Sequence, residues 1–276
     1  MCILESIKHQ DFTMKITLIG AGNLATNLGK ALVSAGHEMV EVYSRTQESA
    51  DALAACLGSH ATTALTSLSD TADAYIIAVK DSALQTVVTT LSEQKTLREK
   101  VFFHTAGSVP MAIFEGRLHH YGVFYPMQTF SKDKALNFRE IPVFVEGSDE
   151  YTCTLLHQLA ASVSAHVHNC SSEQRKQLHL AAVFACNFVN HCYALSEELL
   201  HRQGLDFSVM LPLIDETARK VHALSPQQAQ TGPAVRYDEN IISMQLAMLD
   251  ELPAVRELYQ KMSESIHRMA TEQRAG

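Results

Sequence analysis

The residues with the clearest chemistry lie near the start of the chain. Gly20, Gly22 and Ala25 follow the β-rich run Lys15-Ile-Thr-Leu-Ile and form the pattern G-x-G-x-x-A. Gly20 permits a tight turn, Gly22 lets a phosphate reach bare backbone, and Ala25 is small enough for a helix to pack close to the strand. The helix opening there offers N–H groups and the positive end of its dipole. The backbone from Gly20 through Ala21, Gly22, Asn23 and Leu24 is therefore the expected cradle for the pyrophosphate of a dinucleotide. The context supports it: an amphipathic helix follows, and a second strand ends about 20 residues on.

That second strand runs into Ser44-Arg45-Thr46. A site for NAD usually has Asp or Glu here to hold the ribose 2′-hydroxyl. Ser44 takes that slot and Arg45 follows. A guanidinium flanked by two hydroxyls suits a 2′-phosphate, so the expected cofactor is NADP. The plainer reading of Arg45 is a solvent-exposed loop arginine. The next strand ends are Ala78-Val79-Lys80-Asp81 and His104-Thr105-Ala-Gly-Ser108. Ligands of open α/β sheets sit beyond the carboxyl ends of the strands, so Val79, Lys80, Asp81 and Thr105 are expected beside the ribose and nicotinamide. His104 is either a proton donor or a hydrogen-bonded strand-end residue. Tyr125-Pro-Met-Gln128-Thr-Phe130 either faces the same crevice or is a rigid proline turn.

A third group of residues lies on a helix. His179 and Asn190 are eleven positions apart, which at ~100° per residue leaves them ~20° apart around the axis. Asn187 lies at the edge of the same face. Polar groups on an apolar helix cost stability unless they meet partners. A substrate would supply partners, and so would helix packing. Arg236 and Asp238 open a later helix, as an anion grip with its orienting carboxylate or as a surface pair. His166-x-His168 has no carboxylate or cysteine companion, and no metal site is expected.

These residues need a scaffold of strands alternating with helices. Strands are expected at 15–19, 39–43, 74–79, 101–104, 121–125, 141–145 and 165–168, with helices at 24–35, 47–57, 82–91 and 151–162. That order implies a doubly wound, mostly parallel sheet of the Rossmann kind. Beyond Cys170 only helical runs follow: to Arg202, then 206–223, 235–249 and 251–270. The fold expected is α/β followed by an all-α domain, with a Rossmann domain at 1–169 and a helical substrate and dimerisation domain at 170–276. Residues 1–13 read as a tail.

The chain has 276 residues and a net charge of −8, which argues against a nucleic-acid binder led by phosphate contacts. Six scattered cysteines without a Cys-x-x-Cys pair suggest reduced thiols and a cytoplasmic location. With no run of ~20 uninterrupted apolar residues, no membrane span is expected.

Taken together, the glycine loop, Ser44-Arg45-Thr46, His104-Thr-Ala-Gly-Ser108, Tyr125 to Phe130, the Asn187/Asn190 helix and Thr231-Gly-Pro233 with Arg236 and Asp238 are recognisable. The chain resembles, over about 14–270, the two-domain Rossmann-like proteins grouped with the deazaflavin-dependent NADP reductases, whose C-terminal half is a domain of unknown function. It is more distantly similar to pyrroline-5-carboxylate reductase, ketopantoate reductase and the β-hydroxyacid dehydrogenases. The resemblance implies a homodimer built through the helical domains. The last two families carry a catalytic lysine four residues before an asparagine. Val183 stands there, Lys176 lies further upstream, and His179 is the replacement. Two functions are expected from this. One is an NADP-dependent oxidoreductase acting on a small carbonyl or imine between the domains, with proton transfer by His179 or His104, polarisation by Asn187 and Asn190, and substrate binding by Arg236 and Asp238. The alternative is a regulatory protein that binds NADP without chemistry. Nothing in the sequence marks a deazaflavin pocket.

Overall fold

The computed structural model describes residues 12–134 and 136–275. Within the first 186 residues the short β-branched and aromatic runs become eight strands. They are β1 (Lys15–Ile19), β2 (Glu38–Tyr43), β3 (His60–Thr62), β4 (Ala74–Ile77), β5 (Val101–His104), β6 (His120–Pro126), β7 (Val143–Gly147) and β8 (Val167–Asn169). They form one sheet in the order β3-β2-β1-β4-β5-β6-β7-β8. Every pairing is parallel except β6 with β7. The strand order reverses between β1 and β4, and such a reversal opens a crevice beyond the strand ends. The three-residue strand β3 was not anticipated, because His60-Ala-Thr62 is too short to show a period.

Helices cover the sheet: α1 (Asn23–Ser34), α2 (Gln47–Leu57), α3 (Asp81–Ser92) and α4 (Glu150–Val163). Strand side chains alternate between two apolar clusters. Ile76 and Phe103 join the cluster that includes α1, α2 and α4, while Tyr75, Ile77 and Phe102 join the one that includes α3. Both faces of a parallel sheet are thus buried, which is why its strands read as continuous apolar runs. Of the expected tail, residues 1–11 lie outside the described residues. Phe12 packs edge-on against His37 at 5.7 Å.

One long helix follows: α5 (Ser172–Ala182), a π-helical stretch (Val183–Phe188) and α6 (Val189–His201). Ser171 caps it with a full capping box to Gln174. The chain divides into two compact units at Cys186/Asn187 rather than at 169/170. The reason is that α5 is tied into the first unit by its own side chains, as described below. The run Ser172–His201 is also long and apolar enough to cross a membrane, with a mean hydropathy of 1.3 over its best 18 residues. That property is one of length and composition alone. His179, Asn187, Asn190 and His191 interrupt the stretch, so it contains no uninterrupted apolar run of ~20 residues.

The second unit contains, after α6, the helices α7 (Leu211–Ala223), α8 (Pro226–Ala229), α9 (Pro233–Arg236), α10 (Glu239–Ala247) and α11 (Pro253–Ala275). Pro212 sits in the first turn of α7, where its missing N–H costs nothing. Tyr237, with φ 54°, breaks the single helix expected over 235–249 into α9 and α10.

Candidate functional site

β1 ends in the glycine turn. Gly20 has φ 123°, and a Cβ there would overlap the carbonyl of Ala78. Its N–H donates to Tyr43 O at 2.8 Å. The turn is therefore wedged between the ends of β2 and β4, and only glycine fits. Gly22 differs. A Cβ on Gly22 would meet nothing within 4 Å, so the protein itself does not demand its smallness. Gly22 caps α1 without a side-chain cap bond, and the first turn carries no acidic residue. Unsatisfied N–H groups at an uncapped helix start, beside open backbone, fit a pyrophosphate. The side chain of Asn23 is committed elsewhere: its Nδ2 donates to Phe130 O at 3.0 Å, and Asn27 donates to Ser131 O at 3.0 Å. These bonds hold the loop after β6 against the glycine turn. Asn23 is left with its backbone for a ligand.

Ser44 N donates to Thr62 O at 3.1 Å, so the unanticipated β3 steadies the loop after β2. Arg45 and Thr46 are exposed, and Thr46 caps α2 without a side-chain bond. A guanidinium and two hydroxyl groups at this place fit a 2′-phosphate. Lys80 caps α3, and the Asp81 carboxylate accepts a short hydrogen bond from Ser108. The loops after β4 and β5 are thereby joined beside Val79. Thr105 is buried, and its N–H and hydroxyl both point at Ile77 O, at 3.2 and 3.4 Å. Its side chain braces the sheet.

His104 sits in the core. The ring is wholly buried, stacks on Phe114 at 5.5 Å, and its Nδ1 accepts from Ala106 N at 3.2 Å. Burial first, then the charge of Arg175, lowers its pKa to about 3 against a weaker opposing pull from the Pro110 backbone. Held neutral inside the core, His104 shapes the turn through Nδ1, and its Nε2 has no hydrogen-bond partner among the described residues. The sequence leaves both roles open, since burial is a tertiary property.

Arg175, on α5, is 1% exposed. Its guanidinium reaches Glu146 on β7 at 2.5 Å, Val109 O at 2.7 Å and Ser172 Oγ at 3.1 Å. Glu146 also accepts from the N–H and hydroxyl of Ser172, at 2.9 and 2.8 Å. This network clamps the start of α5 onto the sheet. One turn further on, His179 Nδ1 lies 3.2 Å from the hydroxyl of Tyr125, at the end of β6. Gly107 lies beneath the pair. A Cβ there would come within 2.6 Å of His179 Nδ1 and 2.9 Å of Tyr125 Cζ. Burial raises the pKa of Tyr125; Arg175 opposes that and Asp81 adds to it. Tyr125, Gly107 and Arg175 were not singled out by sequence, although Tyr125 and Gly107 lie in loops that were.

Asn187, Asn190, Arg236 and Asp238 belong to the second unit. The uniform ~100° step used to align His179 with Asn190 does not hold across the π-helical stretch 183–188, where an extra residue shifts the phase. Asp238 caps α10, accepting from Ile241 N at 3.3 Å, and Arg236 ends α9 exposed.

Two family models match the chain. "NADP oxidoreductase coenzyme F420-dependent" covers residues 15–105, and "Domain of unknown function (DUF2520)" covers residues 141–266. No curated protein matches. Among solved structures, a protein from Bacteroides fragilis described as an NADP oxidoreductase is 53% identical, with a TM-score of 0.89, 94% of this chain and 100% of that one being covered. Two others share the fold at lower identity. A pyrroline-5-carboxylate reductase from Coxiella burnetii is 20% identical, with TM-score 0.58 and coverage of 95% and 98%. An imine reductase from Myxococcus stipitatus, solved with NADP+, is 16% identical, with TM-score 0.62 and coverage of 95% of each chain.

Proposed function

Because the chain belongs to the NADP oxidoreductases that join a coenzyme-F420-dependent type of NADP domain to a DUF2520 domain, we propose that it transfers a hydride between NADP(H) and a small carbonyl or imine substrate. Its cofactor is NADP. The observation that carries the proposal is the histidine held by Tyr125 at the carboxyl end of β6, in the fold unit that also holds the glycine turn. NADPH, when bound, supplies the hydride. The backbone of Gly20 to Leu24 and the start of α1 hold its pyrophosphate. Ser44, Arg45 and Thr46 hold the 2′-phosphate, and Val79, Lys80 and Asp81 border the ribose. His179 supplies the proton that the reduced carbon–heteroatom bond must gain. Asn187 and Asn190 polarise the reacting heteroatom, Arg236 binds a substrate anion, and Asp238 orients it.

The test is a fluorescence titration with NADPH and NADH, then turnover on a panel of carbonyls and cyclic imines. Arg45→Ala is expected to weaken NADPH binding ~10–100-fold, the worth of charge-assisted bonds, and to leave NADH binding unchanged. His179→Ala is expected to cut turnover ~10²–10⁴-fold. Equal affinity of the unsubstituted protein for the two nucleotides would remove the 2′-phosphate argument. Tight NADPH binding with no turnover on any substrate would favour the regulatory reading, which the valine at position 183 already supports.

We also infer a homodimer through the helical unit, in the cytoplasm. Leu205, Val209, Leu213, Met244 and Met248 expose apolar side chains there. Exposed apolar groups in that number favour association. Sedimentation is expected to give a dimer of about twice 30.5 kDa. A monomer at tens of micromolar would rule it out.

A further inference from the structure

Resting on the reading of His179 as the proton-transferring group, we propose that Tyr125 is its positioning residue. By this proposal, the buried hydroxyl donates to Nδ1 of His179 and thereby fixes the imidazole as the Nε2–H tautomer, with Nε2 presented as the reacting nitrogen.

The argument begins with the hydroxyl. Tyr125 is 8% exposed, and His179 Nδ1 at 3.2 Å is its only hydrogen-bond partner among the described residues. A phenol carries one proton and two lone pairs. If Nδ1 carried a proton, the phenol would accept it and its own proton would face no acceptor. A buried donor without an acceptor costs more than a lone pair left unused. The hydroxyl therefore spends its proton on Nδ1. Burial holds the phenol protonated through the neutral range, although Arg175 on α5 pulls the other way and Asp81 on α3 adds to the effect. The donor is thus always available. In a neutral imidazole the proton then resides on Nε2, because the partner of one ring nitrogen decides the state of the other.

Two further features hold the ring in place. Gly107 leaves room for the contact, since any Cβ there would strike both His179 and Tyr125. The Arg175–Glu146 bridge one turn earlier fixes α5, and with it the height of His179 above the sheet. The Tyr125 and His179 rings meet edge to face at 6.2 Å and 69°, which restricts rotation about the shared hydrogen bond.

In the reductive direction the balance is simple. The substrate carbon gains the hydride, the electron pair of its double bond moves to the heteroatom, and that atom gains a proton from His179 Nε2. As Nε2 gives up its proton, Nδ1 takes the one that Tyr125 donates, so no imidazolate forms; water then reprotonates Nε2 and the proton on Nδ1 returns to the phenol oxygen.

The experiment is a long-range ¹H–¹⁵N spectrum of full-length protein with ¹⁵N-histidine rings. His179→Ala serves to identify the His179 signals by their loss. The unsubstituted protein is expected to show His179 as the Nε2–H tautomer. Tyr125→Phe, which keeps the ring and removes only the hydroxyl, is expected to shift the tautomer ratio about fivefold toward Nδ1–H. Gly107→Ala is expected to shift the same signals with the tyrosine still present. With 2-methyl-1-pyrroline and NADPH, Tyr125→Phe is expected to lower kcat about tenfold at unchanged KM and unchanged NADPH affinity. An unaltered tautomer ratio in Tyr125→Phe overturns the positioning role whatever the turnover. Full turnover by His179→Ala, or none by the unsubstituted protein, overturns the proton-transfer reading itself and Tyr125's part in a reaction with it.

Discussion

Replacing Gly20 by alanine is expected to cost roughly 2–6 kcal/mol of folding stability and to abolish NADPH binding. Backbone strain at a positive φ and steric overlap each cost about 1–3 kcal/mol. Both act at this position, because φ is 123° and the new Cβ would strike the Ala78 carbonyl. Neither can be relieved by a rotamer change, since the obstacle is the backbone of the loop after β4. The loss is a large fraction of a typical domain's stability. Gly22→Ala makes the informative contrast. Its Cβ would meet no protein atom, so unfolding should shift by less than ~1 kcal/mol, the cost of a poorer helix cap. NADPH affinity should nevertheless fall at least ~10-fold, because the methyl group would occupy the approach of the pyrophosphate. Urea unfolding and fluorescence titration measure the two quantities separately. Undiminished NADPH affinity in Gly22→Ala would mean that the phosphates do not lie there.

Arg175→Met is the second large effect, with an expected loss of ~3–5 kcal/mol. The guanidinium is sealed from solvent and bonded to Glu146, Val109 O and Ser172. Methionine fills much of the volume but leaves Glu146, whose side chain is only 18% exposed, without a counter-charge. The carbonyl of Val109 loses its donor as well. Most of the penalty thus comes from the stranded partner and not from the worth of the ion pair. The double variant Arg175→Met with Glu146→Gln should therefore recover part of the loss, giving a coupling energy of about 1–3 kcal/mol in a double-mutant cycle. Additive losses would show that the two residues act independently. The clamp also places His179, so turnover in Arg175→Met should fall while NADPH affinity stays. The glycine turn is formed by the end of β1 and the start of α1, and Arg175 makes no hydrogen bond to it.

Both effects arise from residues that read very differently in the sequence. Gly20 stands in a pattern whose spacing is the geometry: a strand, a turn and a helix start are contiguous in the chain, so local rules suffice. The same holds for Ser171 as a helix cap and for the strands whose apolar runs reflect burial on both faces. These features, with the order of strands and helices, were enough to determine the Rossmann sheet, the helical half and the NADP family. The tertiary structure decided the rest. Tyr125 and His179 are 54 positions apart, and Arg175 and Glu146 are 29 apart. Only the docking of α5 beside the ends of β6 and β7 makes them neighbours. Whether His104 is a buried brace or an acid depends on desolvation, which periodicity does not report. The π-helical stretch leaves no mark on composition, yet it breaks the alignment drawn between His179 and Asn190. The first compact unit runs on through α5 to Cys186. Helix propensity knows nothing of the long-range bonds that fasten the start of that helix to the sheet.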